Sequence, residues 1–228
     1  MLVALTRERG HNGELRELVG DRAQVVELPL TITTFRTPRE VDEEIRSLVT
    51  FGEFRSLVMT SARCEDYLVS ARRALCEEPD VFSVGPATSA ALQRAGLVVK
   101  IEGSGPSLDL SNHIVDGPVL VLAASQGRRE LSEALAMRSL QVCRVECYRT
   151  REIELDHEEA QQLTLAHVVF IGAPSAWRVA RAHVSPDAWV LVPGRSTLAA
   201  VQSDHARVLV GWGEEFAGAW RKIHPSTC

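Results

Sequence analysis

Apolar runs of three to seven residues recur along the chain. They are Leu2–Leu5, Val25–Leu28, Leu57–Met59, Val81–Val84, Val98–Ile101, Pro118–Leu122, Val142–Tyr148, Val168–Ile171, Val190–Val192 and Arg207–Val210. Most are too short for a helix and lack strict alternation, which predicts strands buried on both faces. Between them, apolar residues fall three and four apart. The helical stretches predicted this way carry Leu15 and Leu18, then Val41, Ile45, Leu48 and Val49, then Tyr67, Leu68, Ala71 and Leu75. Later ones cover Ala90 to Leu92, Leu108 to Val115, Leu131 with Leu135, Glu158 to Leu163, Val179 with Ala180, Leu198 to Val201, and Glu214 to Ile223 with Phe216 and Trp220 inward. Leu30–Phe35 is different: it alternates apolar and polar, as a ribbon with one wet face does. Strand and helix in alternation predict an α/β fold with parallel sheets covered by helices on both faces.

One junction organises the reading. Val81–Val84 runs into Gly85-Pro86-Ala87-Thr88-Ser89 and then Ala90-Ala91-Leu92. Gly85 and Pro86 make the turn, and Thr88 or Ser89 is placed to cap the helix. The first N–H groups of such a helix lack partners and attract anions. The unit recurs at Val190–Val192, Pro193, Gly194, Arg195, Ser196, Thr197 and Leu198–Val201.

The recurrence extends further. Met59-Thr60-Ser61 matches Ile171-Gly172-Ala173, and Gly85 with Thr88 matches Gly194 with Thr197. Val119–Leu122 with Gly127 and Leu135 matches Leu2–Leu5 with Gly10 and Leu18, and Val142 matches Val25. One copy runs straight through the middle of the chain. The other begins near Val168 and finishes at the N-terminus. The expected organisation is therefore two similar α/β domains, one discontinuous (1–29 plus 153–228) and one inserted (37–144). Linking strands at 30–36 and 145–152 are expected to pair as a two-stranded antiparallel ladder. A single continuous sheet with chance similarity is the competing reading.

Charge and composition narrow the function. A formal net charge of −5 lacks the basic footprint of a nucleic-acid binder. The first apolar run is too short for a signal sequence, and no run is long enough to span a bilayer. Cys64, Cys76, Cys143, Cys147 and Cys228 are scattered and odd in number, with no CxxC pair. That spacing predicts neither a zinc site nor a redox motif, and fits a reducing cytoplasm. Gly10-x-x-Gly13 and Gly103-x-Gly105 fall short of a dinucleotide fingerprint, and there is no P-loop. The seven histidines are isolated surface residues on this reading, and Cys143 and Cys147 share one strand face as core.

Several pieces, in order along nearly the whole chain, resemble the uroporphyrinogen-III synthase family. They are Leu5-Thr6-Arg7, Pro29-Leu30, Thr60-Ser61, Val84-Gly85-Pro86-Ala87-Thr88, Gly127-Arg128-Arg129-Glu130-Leu131, Tyr148-Arg149-Thr150, Phe170 with Pro174-Ser175-Ala176, and Gly194 with Thr197. The resemblance implies two α/β domains joined by a two-stranded ladder. It also implies a cofactor-free lyase reaction in porphyrin and heme biosynthesis. Linear hydroxymethylbilane loses its hydroxyl, its last ring is inverted through a spiro intermediate, and the macrocycle closes as uroporphyrinogen III. A cytoplasmic monomer acting on a small molecule, with no metal, no nucleic acid and no membrane, is expected. The resemblance assigns Tyr148 to assist loss of the hydroxyl, and Gly85 and Thr88 to hold substrate. The chain departs from the family at Glu8, Arg63, Ala123, Ala173 and Arg195, which thins the polar lining. These departures motivate the alternative of a non-catalytic tetrapyrrole- or anion-binding regulatory domain; a sugar- or anion-binding protein is a third reading.

The substrate carries many carboxylates, and helix N-termini with small hydroxyls suit it. The candidate binding residues are Thr6, Arg7, Thr60, Ser61, Gly85, Thr88, Ser89, Ser125, Gly127, Arg128, Ser175, Gly194, Ser196 and Thr197, with Tyr148 as the candidate proton donor. Taken singly, the hydroxyl residues read as ordinary helix caps and Tyr148 as strand packing. As a set they fall at sheet C-terminal edges, where open α/β proteins bind ligands. Arg128-Arg129 and Arg149 with Arg151 are short basic patches, either solvated surface or partners for substrate carboxylates.

Overall fold

A computed structural model of the chain describes residues 1–49, 52–103, 107–127 and 129–223. The chain begins with strand β1 (Leu2–Leu5), helix α1 (Gly13–Val19), β2 (Gln24–Glu27) and β3 (Thr31–Phe35). Next come α2 (Pro38–Leu48), β4 (Phe54–Met59), a 3-10 turn over Ala62–Tyr67, α3 (Leu68–Arg73) and β5 (Leu75–Ser83). They are followed by α4 (Pro86–Arg94), β6 (Ile101–Glu102), a 3-10 segment over Ser107–Asn112, β7 (Val119–Ala124) and α5 (Glu130–Met137). The last part holds β8 (Val142–Glu152), α6 (His157–Leu165), β9 (Val168–Phe170), α7 (Pro174–Ala180), β10 (Trp189–Val192), α8 (Arg195–Gln202), β11 (Val208–Val210) and α9 (Phe216–Ile223).

The chain separates into two compact units: Met1–Thr33 with Arg151–Cys228, and Thr34–Thr150. The first holds a five-stranded sheet in the order β11-β10-β9-β1-β2, every neighbour parallel. The second holds β8-β7-β4-β5-β6, also parallel, with β3 added outside β8. Read from β11 and from β6, the two parallel sheets have the same order of strands; the first merely starts its chain in the middle. The chain crosses between units within β3 and within β8. These strands run antiparallel, as Arg36 N–H donating to Cys147 O and Ile153 N–H to Leu30 O require.

Alternate residues of each strand go to opposite faces, so each sheet builds two cores. In the first unit Ala4, Val169, Val190 and Val192 pack under α6, α7 and α8 through Leu163, Trp177 and Val201. Val3, Leu5, Val168, Phe170 and Leu191 pack under α1 and α9 through Leu15, Val19 and Phe216. In the second, Leu57, Met59, Leu120 and Leu122 meet Val41, Ile45, Leu68 and Leu92. On the opposite face Val58, Phe82, Val119 and Val121 meet Leu110, Ile114, Leu131 and Leu135. The α/β class with helix-flanked parallel sheets thus follows from the short apolar runs.

Local expectations fail where tertiary pairing outweighs pattern. Leu75 is not on a helix: α3 stops at Arg73, and Leu75 pairs with Phe54. Ser56 then pairs with Asp80, so five steps on β5 oppose two on β4, and Cys76–Pro79 bulges out. The run Val98–Ile101 yields strand only from Ile101, and Val98 is 85% exposed. Gly96, at φ +74, ends the turn after α4, and Leu97 folds back, its N–H on Leu92 O. The chain therefore reaches the sheet edge late. The helix expected over Leu108–Val115 is a 3-10 segment that ends at Asn112.

Candidate functional site

All strands of a parallel sheet end on one edge, and that edge gathers most of the predicted residues of each unit. In the Thr34–Thr150 unit, Thr60 and Ser61 follow β4, Gly85 follows β5, and Ser125 to Gly127 follow β7. Tyr148 on β8 lies level with them: it pairs with Ala124, and its carbonyl accepts from Ser125 N–H at 2.7 Å. Its ring packs 5.7 Å from that of Phe35, and the Arg63 guanidinium lies 5.7 Å from its centroid. Burial raises the phenol pKa above its ordinary value, while the Ser61 side chain and the Arg63 charge oppose that shift. Tyr148 therefore stays a protonated donor through neutral pH. The other tyrosine, Tyr67, donates to Arg36 O at 2.6 Å and lies 3.0 Å from Cys147 O. Burial pushes its pKa up to about 12, and its hydroxyl ties the 3-10 turn before α3 to the ladder.

The other predicted hydroxyls divide into two groups. Thr60 donates to Leu122 O at 3.0 Å and so ties β4 to β7. Thr6, in the other unit, donates to Phe170 O at 2.5 Å and ties β1 to β9, the equivalent pair with donor and acceptor strands exchanged. Ser89 bonds the Ser83 hydroxyl at 2.6 Å and faces into the unit. Ser61 accepts from Arg63 N–H at 3.2 Å. Ser175 lies in the first turn of α7 and Ser196, exposed, in the first turn of α8. Gly127 is a packing glycine: a Cβ there would come within 3.0 Å of Ala124 O and 3.2 Å of the Arg144 guanidinium. That guanidinium donates to the carbonyls of Ala124 and Gly127 and pairs with Glu146 at 2.8 Å, fixing the turn under Ser125. Arg128 lies outside the described residues.

The capping expectation for Thr88 and Ser89 needs correction. Gly85 is the N-cap of α4, so Thr88 is its third helical residue and Ser89 its fourth. Gly194 and Thr197 hold the same two positions in α8. Both glycines have extended backbone, so neither is demanded by a left-handed turn. A Cβ at Gly194 would touch nothing within 4 Å, and one at Gly85 would meet only Gly103 O at 3.9 Å. What glycine removes is a side chain that would bond the first N–H groups.

That absence is shared by the α-helices of the two edges, whereas the 3-10 turn after β4 is capped by Ser61. Helices α1, α4, α5, α7 and α8 each start after a strand's C-terminal end, and none has a side-chain cap hydrogen bond. Helices α2 and α6, which follow the ladder strands, both carry complete capping boxes, Thr37 with Glu40 and Asp156 with Glu159. Even Asn12, at the N-cap of α1, turns away. Its amide donates to Arg7 O at 3.3 Å and Glu27 Oε2 at 3.2 Å, leaving Oδ1 buried without a partner. Arg16 then Asn12, by their hydrogen bonds, hold the Glu27 carboxyl below the usual carboxylate range.

The family model described as Uroporphyrinogen-III synthase HemD matches residues 14–210. The chain belongs to the uroporphyrinogen-III synthase family. A solved uroporphyrinogen III synthase of Thermus thermophilus, a selenomethionine mutant, superposes with a TM-score of 0.71 at 17% identity, covering 97% of this chain and 99% of that one. The wild-type Thermus thermophilus protein gives 0.60 at 18%, covering 97% and 98%. Uroporphyrinogen-III synthetase of Helicobacter pylori gives 0.58 at 14%, covering 96% and 99%. At these identities the likenesses establish the two-domain fold. No curated protein sequence matches significantly.

Among the described residues no group of three or more His, Cys, Asp or Glu is arranged to hold a metal, and no helix is long and apolar enough to cross a membrane. Sequence reading missed Arg144, Asn12 and Trp212. Trp212 lies two residues past the end of β11, at the same edge as Arg7, whose guanidinium it meets.

Proposed function

We propose that the protein is a uroporphyrinogen-III synthase, a lyase that cyclises hydroxymethylbilane with inversion of ring D, working as a cytoplasmic monomer. The observation that carries this reading, beside family membership, is the contrast in capping. Helices α1, α4, α5, α7 and α8 at the strand ends start without a side-chain cap, while the sequence caps α2 and α6 fully. Free N–H groups at helix starts suit a ligand rich in carboxylates. In the proposed reaction the hydroxyl leaves as water, a ring carbon attacks the resulting electrophile, and a proton is lost after ring inversion. There is no net oxidation or reduction, so the reaction as written calls for no cofactor. Tyr148 is the proposed donor to the leaving hydroxyl; Gly85, Thr88, Gly194, Ser196 and Thr197 are proposed to hold acid arms, with Arg7, Ser61, Ser125, Ser175 and Arg128 in support. Most of the barrier lowering on this reading is orientation of a flexible chain.

A second reading has its own support. Thr6, Thr60 and Ser89 direct their hydroxyls into the fold, and Ala123 and Ala173 supply no polar group. A non-catalytic tetrapyrrole-binding domain would need no more. Incubation with hydroxymethylbilane separates the two. The type III isomer should form faster than spontaneous closure to type I. Type I alone, at the buffer rate, with retained binding of uroporphyrin III, would establish the second reading instead.

A further inference from the structure

We propose that Arg7 and Trp212 form a cation–aromatic platform that takes one pyrrole ring of the tetrapyrrole together with its acid arm. This rests on the tetrapyrrole reading above and names two side chains that ring would meet. Arg7 follows β1 and Trp212 follows β11, with β9 and β10 between those strands. Three strand spacings are about 14 Å, so only long side chains can meet across them. They do: the Arg7 guanidinium carbon lies 5.9 Å from the Trp212 ring centroid. Gly172, two residues past β9, lies beneath both. A Cβ there would sit 3.5 Å from Arg7 Cγ and 3.8 Å from Trp212 Cη2, so both side chains lie directly over its backbone.

The indole is fixed from below by Phe170, edge-on at 5.6 Å, yet stays half-buried. One part of Trp212 packs on the core that holds Phe170 and Phe216, and the rest stays accessible. The Arg7 side chain is 35% exposed, and its ion pair is long: Glu14 Oε2 lies 4.0 Å away on a side chain 59% exposed. A guanidinium has five N–H donors in one plane. Stacked on a ring it keeps those donors available at its rim for a carboxylate. The pair therefore offers an aromatic surface and a cation to one ligand, matching a pyrrole that bears acetate and propionate arms. Asn12 steadies the arrangement through its bond to the Arg7 carbonyl.

The test titrates the full-length protein with uroporphyrin III and measures KM for hydroxymethylbilane, with melting temperature as the control for folding. Trp212→Ala and Arg7→Gln should each raise Kd and KM about tenfold, Trp212→Phe about twofold, and Arg7→Lys less than Arg7→Gln. The double variant should lose less than the product of the singles, because one ring meets both groups. If Trp212→Ala does not fold, the Trp212→Phe, Arg7→Gln and Arg7→Lys series decides alone. Folded variants that bind within error of the unsubstituted protein overturn the platform while type III formation leaves the synthase reading standing. Failure of the unsubstituted protein to bind uroporphyrin III overturns the platform, whereas retained binding that the variants weaken, with type I as the only product, keeps the platform and overturns the synthase reading alone.

Discussion

The two parallel sheets share strand order and strand-end helices, and each has a threonine tie between its third and fourth strands, given by the third in one unit and by the fourth in the other, yet their exposed edges differ in chemistry. In the Thr34–Thr150 unit the edge carries a buried phenol, Tyr148, flanked by Ser61 and Ser125. In the other unit the strand equivalent to β8 is β2, which stops at Glu27, so no counterpart of Tyr148 exists. That unit instead presents Arg7, Trp212 and the exposed Arg195. The shared strand order places helix starts alike on both edges, while one edge carries the proposed proton donor and the other the proposed cation–aromatic platform. The parts that stayed alike are those that hold strands together, and the parts that differ are those with room in front of them.

Removing the donor should break the comparison most. Tyr148→Phe is expected to slow turnover by up to about 10²-fold, as for one acid–base group, with isomer choice and melting temperature kept. The sign of its pH dependence follows from burial. Because the pKa lies above the ordinary tyrosine value of about 10, donor-assisted rate should fall only as pH rises through that raised value. The variant should lack this alkaline limb in stopped assays of type III formation.

A smaller effect is expected where the edges are matched. Thr88→Val and Thr197→Val keep volume and remove only the hydroxyl. Thr88→Val should weaken uroporphyrin III binding about tenfold, roughly 1.4 kcal/mol for a charge-assisted hydrogen bond. Thr197→Val should cost about threefold, since Arg195 beside it remains to meet an acid arm. Neither residue is an N-cap, so urea melts should move by less than about 0.5 kcal/mol. Equal losses of stability with unchanged affinity would return both to packing roles.

The smallest change tests what the units share. Thr6→Val and Thr60→Val each delete one strand-to-strand tie. Both should lower stability by about 1 kcal/mol, and by similar amounts, as read from urea unfolding. A loss of affinity from only one of them would show that the common scaffold has also diverged.

The sheets were legible because strands buried on both faces leave unbroken apolar runs, and Val3, Val169 and Val190 needed no context to be placed. The matching glycine-turn units were legible for the same reason, since each sits at a run's end, whereas Tyr148 stood out only through the family resemblance. What was not legible depended on partners distant in sequence. Leu75 reads as helix until Phe54 is beside it. Thr88 reads as a cap until Gly85 occupies that position. Arg144 and Trp212 have no local signature; the turn carbonyls of one and the cation of the other come from elsewhere in the chain.

The ladder also governs the order in which the protein can assemble. Leu2 and His167 are bonded across 165 residues of chain, and pairing so remote is slow to form. Once Ile153 N–H has found Leu30 O, the chain left to close between β1 and β9 is effectively roughly 40 residues, which lowers the entropic cost by about 1 kcal/mol. The inserted unit thus acts as a template that brings the two ends of its neighbour into register. Substitutions in β3 or β8 should consequently delay completion of a sheet in which neither strand takes a place.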